Sequence, residues 1–186
     1  GDDGRVLNLG FESGDLTDWK AEGSAFEKQP VRGDTVAHRR QDMVSAHEGQ
    51  YWIGTYERGG DDLVGTLVSV PFKVTHPYAS FRIAGGASDL NRVELVLKDN
   101  KKVFFKASGF EAENLRPVVV DLKDVQGKEI FIKVIDHQIG HWGHINFDDF
   151  RFHESKPELE NTVKPEELRK QFAMPSIDEV LFAGLE

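Results

Sequence analysis

A chain of 186 residues with 39% hydrophobic content is long enough for one domain with a sizeable core plus an appendage. Its 23 Lys and Arg stand against 32 Asp and Glu, a net charge of −9, and no basic run is interleaved with aromatics, so nucleic acid and an anionic membrane surface are poor partners. With no cysteine, disulfides, thiol nucleophiles, thiolate zinc sites and haem attachment through its own thiols are excluded. No apolar stretch reaches the roughly 20 residues of a spanning helix, and the opening GDDGRVL lacks the layout of a signal peptide. The expectation is a soluble chain cut from something larger.

From Arg5 to about His153 the sequence reads as short runs of alternating apolar residues parted by Gly, Asp, Asn and Pro, the pattern of half-buried strands and turns. In chain order these runs are RVLNL, AFEKQPV, QYWIGTY, GTLVSVPFKV, YASFRIA, RVELVLK, KVFFKA, RPVVVDL, EIFIKVID and HINFDDFRF. The clearest hairpin is RVELVLKDNKKVFFKA: Val93, Leu95 and Leu97 share a face, Asp99 and Asn100 turn the chain, and Val103 and Phe105 return. Trp19 is expected to pack under the sheets. No helical period interrupts this stretch, and IAGGASDL, with no helix after its glycines, reads as a turn and not a phosphate loop. Many strands at short spacing predict an antiparallel sandwich of jelly-roll type. Residues 1–154 form that domain. Residues 155–186 read as a linker with two short helices, one opened by Pro165, Glu166 and Glu167, the other by a capping box of Ser176 and Glu179.

Near the end stands HWGHINFDDFRFH, residues 141–153. Ile145 and Phe147 share one face, Phe150 and Phe152 share a face, and the two pairs are out of phase, so the slip falls between Asp148 and Asp149. Either a bulge absorbs it or one aspartate turns inward and needs a compensating partner. That partner is a basic side chain or a hard cation such as Ca²⁺, which collects carboxylates and carbonyls; Glu12 on the first strand is available to share such a site. His137, His141 and His144 are also spaced to ligate zinc or copper, although histidines grouped in one loop are more often solvent-facing polar residues.

The order NLGFESGDLTDWKAEG, SAHEGQYWIGTY, GTLVSVPFKV, GHINFDDFRF resembles the galactose-binding-like jelly-roll domains, a group that includes carbohydrate-binding modules, over residues 7–153. The resemblance implies a structural calcium held by the Gly10 carbonyl, the Glu12 carboxylate, the His47 and Gln50 carbonyls and Asp149; the alternative without metal has Glu12 capping a turn and Asp149 accepting backbone N–H groups. The chain also resembles the N-terminal region of large bacterial haem-binding CxxCH proteins, where such a domain precedes a propeller and a cytochrome c segment. It departs from them in having no CxxCH, so haem and redox roles are not carried over. The resemblance implies an extracellular or periplasmic place.

For a glycan ligand the candidate residues are Trp52, Tyr56, Asp136, His137, His141 and Trp142, because an aromatic face stacks on the C–H side of a pyranose while carboxylate and imidazole bond its hydroxyls. Alternation puts Trp52 and Tyr56 on one face with Gly54, whereas Trp142 would serve equally as a plug at the end of the sandwich. Arg39, Arg40, Arg82 and Arg92 with Glu94 line either a polar groove or a solvated sheet face. Asp61 and Asp62 lie in a Gly-rich loop. No paired carboxylates across a cleft and no G-x-S-x-G elbow can be assigned, so no catalytic residue is named. The expected function is a non-catalytic carbohydrate-binding or adhesion module of a secreted multidomain protein, its partners a polysaccharide and the adjacent domain of its parent. The rivals are a docking domain without sugar binding and a glycoside-active enzyme.

Overall fold

A computed structural model describes residues 4–172. Eleven strands and three short helices follow one another as β1 (Trp19–Gly23), β2 (Val31–Arg32), α1 (Thr35–Arg39), β3 (Tyr51–Gly54), α2 (Tyr56–Gly59), β4 (Gly65–Ser69), β5 (Phe72–Lys73), β6 (Tyr78–Gly85), β7 (Asn91–Leu97), β8 (Val103–Ser108), β9 (Ala112–Asp121), β10 (Glu129–Asp136), β11 (Ile145–His153) and α3 (Pro165–Gln171). One antiparallel sheet runs β1-β4-β10-β7-β8, with β5 also on β10, and the other runs β2-β3-β11-β6-β9. Neighbours distant in sequence make this the expected antiparallel jelly-roll sandwich.

Period-2 burial builds the layers. Ile130, Ile132 and Val134 of β10 and Val93, Leu95 and Leu97 of β7 face Phe81 and Ile83 of β6, Val118 and Val120 of β9 and Ile145 and Phe147 of β11 in one core. The β7–β8 hairpin forms as the alternation indicates, with Leu95 opposite Phe105. Trp19 closes one end of the core, stacked on Phe11 at 5.0 Å and edge-on to Phe147 at 5.9 Å.

Three departures from the strand reading have local causes. Residues 5–9 form no strand: Asp18 accepts the Asn8 N–H, the Asn8 amide bonds the carbonyls of Asp15 and Thr17, and the Trp19 indole bonds the Asn8 carbonyl, so side chains occupy groups a ladder would use. Only Val31 of AFEKQPV enters a strand, since Pro30 offers no N–H, and the Gln29 side chain instead bonds the N–H and carbonyl of Gly54. Helices α1 and α2 interrupt the stretch read as free of helix. Both are short, and α1 is started by Asp34 accepting the Ala37 N–H at 3.0 Å, a local device without periodicity.

The β11 slip is present. Pairing with β6 shifts between Asp148 and Arg151, and Asp149 takes φ +57°, which re-aims the two aspartates to different environments. The tail is less linker-like than expected. Val163 is buried and its N–H bonds the Pro117 carbonyl, Arg116 grips Glu167 through two 3.0 Å bonds, and the Gln171 amide bonds both N–H and carbonyl of Ser108. The first expected tail helix is α3, with Pro165 in its first turn; the one expected at Ser176 and Glu179 lies outside the described residues.

Candidate functional site

Two polar centres flank the start and middle of β11. The first gathers the loop before β3, the N-terminal segment and the bulge. The Glu12 carboxylate accepts the N–H groups of Gln50 and Tyr51 at 3.0 Å. Gly49, at φ +62°, passes so close that a Cβ there would stand 2.4 Å from the Glu12 carboxyl and displace it, and glycine takes this backbone conformation without strain. Asp148 is fully buried. One of its oxygens accepts the Glu48 N–H at 2.8 Å and the other has no partner among the described residues. Burial pushes Asp148 up to about 8, against the pull of the Glu48 N–H, with Asp149 and Glu12 adding to the rise. Burial also raises Asp149, opposed by Arg151. Gly10 lies against Asp149, where an added Cβ would be 3.8 Å from the Asp149 Cα. Arg82 pairs with Glu48, and the His47 ring stacks on Trp52 with its Nδ1 2.5 Å from the Ser45 hydroxyl.

The second centre is a pocket of about 190 Å³ at one end of the sandwich, lined by Arg39, Arg40, Tyr56, Asp61, Glu113, His141, Trp142 and His144. Its floor is charged and nearly dry. His144 Nδ1 lies 2.6 Å from Asp61 and Nε2 3.3 Å from Glu113, the imidazole and the Glu113 carboxylate being only 3% and 2% exposed. Asn146 donates to Glu113 at 3.0 Å. Arg39 bonds Glu57 and, at 2.7 Å, Glu113, and its guanidinium sits 4.4 Å from the centre of the Tyr56 ring. Burial would raise Glu113, but His144, Arg39 and Asn146 outweigh it and hold the carboxyl at about 2. Burial would discharge His144, but Glu113 and Asp61 overcome that and raise it.

Half-buried Tyr56 and Trp142 stand over this floor, 5.1 and 5.3 Å from the His144 ring, and exposed His141 stands beside Trp142. The loop carrying them is fastened on both sides. Asn91 donates to the carbonyls of Trp142 and His144 at 3.1 and 3.2 Å, and the Gly140 N–H bonds the Asp61 carbonyl at 2.9 Å. Gly86 makes room for it, because a Cβ there would meet the Trp142 carbonyl at 2.1 Å. The result is a pre-formed concave site with aromatic walls and hydrogen-bonding groups at its base.

No protein-family model matches the chain. A curated relative from Aspergillus rugulosus, provisionally named glycosyl hydrolase ecdE, is 32% identical over 143 residues, which is 77% of this chain and 20% of that protein. The chain therefore spans about a fifth of that relative's length. Similar solved structures include carbohydrate-binding modules and adhesin domains. They include TmCBM61 in complex with β-1,4-galactotriose (17% identity, 78% of this chain and 94% of that one, TM-score 0.49). Another is Caldicellulosiruptor saccharolyticus CBM27-1 with mannohexaose (13%, 80% and 97%, TM-score 0.40). A third is the K1 cleaved adhesin domain of Lys-gingipain from Porphyromonas gingivalis (12%, 77% and 96%, TM-score 0.45).

Of the six residues expected to meet a glycan, Tyr56, His141 and Trp142 come together in the pocket. Trp52 and Asp136 do not, and both expectations are corrected. Alternation does turn Trp52 away from the main core, but Val31, Val36, Ala84, Leu115 and Met43 cover it in a second small core, leaving the ring 0% exposed. Its indole N–H bonds the Gly33 carbonyl. Asp136, at the end of β10, is 1% exposed; burial pushes it up to about 7, against the pull of the Thr55 hydroxyl and of His144. His137 is exposed but turned to the Thr66 hydroxyl at 3.0 Å. The three loop histidines thus point to different partners, and among the described residues no three His, Cys, Asp or Glu side chains are grouped to hold a metal ion. Sequence reasoning did not single out Glu113 or Glu57, and neither carries a local signal.

Proposed function

We propose that the chain is a non-catalytic glycan-binding module whose ligand seats in the pocket between Tyr56, Trp142 and His141. The observation that carries this reading is the pairing of two half-exposed aromatic rings with a buried Glu113–His144 base braced by the more open Asp61 and Arg39. Ring faces suit the C–H surface of a pyranose, and fixed carboxylates accept hydrogen bonds from its hydroxyls. Hydrolysis of a glycoside needs one carboxyl kept protonated beside a second. Glu113 is held ionised at about 2, and the raised Asp136 is sealed beneath the surface, so the site is suited to holding sugar and ill-suited to cleaving it. The name of the curated relative fits this chain as an accessory module of a larger, secreted glycan-active protein, placed outside the cell or in the periplasm. Its further partner would be the adjacent domain.

The same reading includes a structural calcium at the first centre, held by Glu12, Asp149 and the carbonyls of Gly10, His47 and Gln50. What supports such an ion is the buried Asp148 oxygen without a partner among the described residues, beside Asp149; to ligate it, Glu12 would share oxygens that now accept the Gln50 and Tyr51 N–H groups, and Asp149 one that now pairs with Arg151. When bound, calcium would supply that charge. Glu12 and the bulge would then hold the N-terminal segment and β11 to the loop before β3.

Affinity electrophoresis through gels containing β-1,4-galactan or β-1,4-mannan tests the function. Retardation that Trp142→Ala abolishes supports it. Cleavage of either polymer would move the chain to the enzyme reading, and free migration in every gel would move it to a docking role.

A further inference from the structure

We infer that the pocket selects uncharged sugars and rejects uronic acids, an inference that rests on the glycan reading of this site. Three carboxylates, Glu57, Asp61 and Glu113, meet two cations, Arg39 and His144. Both cations are already engaged. Arg39 uses Nε and Nη2 on Glu57 and Nη2 again on Glu113, with its face on Tyr56. His144 is bonded through Nδ1 to Asp61, and its Nε2, buried, faces Glu113 at 3.3 Å. Arg40, on the rim, is held bidentately by Asp42 at 3.1 and 2.9 Å.

Counted together with the partners that back them, Arg39, Arg40 and a protonated His144 stand against Glu57, Asp42, Asp61 and Glu113, an excess of one negative charge, and each of these three cations already faces a carboxylate. Asp61 is the carboxylate left most open, 27% exposed against 6% for Glu57 and 2% for Glu113. It can accept a bond from a hydroxyl, and the same position repels a second carboxylate. To receive a uronate, Arg39 or His144 would have to leave a buried partner unpaired, which is costly, and Arg40 on the rim would have to give up Asp42. A neutral hexose demands no such exchange. Arg–carboxylate forks are the usual means of binding an acidic sugar, and here the fork is closed from within.

The test compares methyl glycosides of galactose, glucose and mannose with the methyl glycosides of their uronic acids, each titrated into the full chain and followed by NMR. At least one neutral glycoside is expected to bind tenfold or more tightly than its uronate, equivalent to about 1.4 kcal/mol. Raising salt should narrow the gap, because the repulsion is screened, and Asp61→Asn, at the pocket's most open carboxylate, should narrow it further while the chain stays folded. Equal binding, or preference for the uronates, overturns the charge inference while leaving glycan binding intact. Failure of every glycoside and uronate to bind the folded chain overturns the glycan reading and this inference together.

Discussion

His144 Nδ1 and Asp61 Oδ1 lie 2.6 Å apart although 83 residues separate them in the chain. The contact joins the turn after α2 to the residue that leads into β11, and the Gly140–Asp61 backbone bond fastens the intervening loop to the same turn. The aromatic residues His141 and Trp142 are thereby fixed over a base that is assembled from the sheet containing β9 and β11 and from the segments that flank its strands. Such bracing sets the geometry before any ligand arrives, which lowers the ordering cost of binding.

The two tryptophans expected to touch sugar should behave in opposite ways. Trp52→Ala empties a filled interior position and should destabilise the fold by about 3–5 kcal/mol. Trp142→Ala should lower the unfolding midpoint little and weaken glycan retention at least tenfold. Urea unfolding alongside affinity electrophoresis separates the effects.

Asp136 gives stability a pH dependence of definite sign. Its folded pKa of about 7 lies above the ordinary carboxylate value, so the unfolded chain ionises first and the native state loses stability as pH rises from about 4 to 7. Asp136→Asn removes that loss. The stability difference between variant and parent should shift in favour of the variant by about 2–3 kcal/mol on going from pH 5 to pH 8, measured by urea unfolding at both.

Calcium should stabilise the chain through the β11 bulge. A saturating excess near a hundred times the dissociation constant is worth about 2.7 kcal/mol. The unfolding midpoint should rise on adding Ca²⁺ to chelator-treated protein, and the rise should vanish in Glu12→Gln and Asp149→Asn. A midpoint indifferent to calcium in the parent chain would remove the ion from the account.

The tail should prove part of the domain. Ending the chain at Glu154 removes buried Val163, the Arg116–Glu167 fork and the Gln171–Ser108 bonds. We expect a loss of about 2–4 kcal/mol, read as a lower urea midpoint.

Much of this was legible where chemistry is local. The β7–β8 hairpin announces itself through Val93, Leu95 and the Asp99–Asn100 turn, and the phase slip at Asp148 and Asp149 shows in the sequence because a strand has period two. What was not legible depends on partners far along the chain. Alternation sets Trp52 on the outer face of β3, yet nothing near it reveals that α1 and Leu115 will cover that face. Glu113 becomes conspicuous only when Arg39, His144 and Asn146 arrive from three other elements. The tail looked like a linker because the grip on Glu167 comes from Arg116, 51 residues away.

The central claim is that ligand sits on Trp142 above His144, and the three indole N–H resonances test it directly. Trp19 and Trp52 donate to the carbonyls of Asn8 and Gly33 inside the fold, whereas Trp142 stands at the pocket. On titration with a neutral β-1,4-linked oligosaccharide, the account predicts that the Trp142 signal moves while the Trp19 and Trp52 signals hold still. A still Trp142 signal in the presence of a bound oligosaccharide would contradict it.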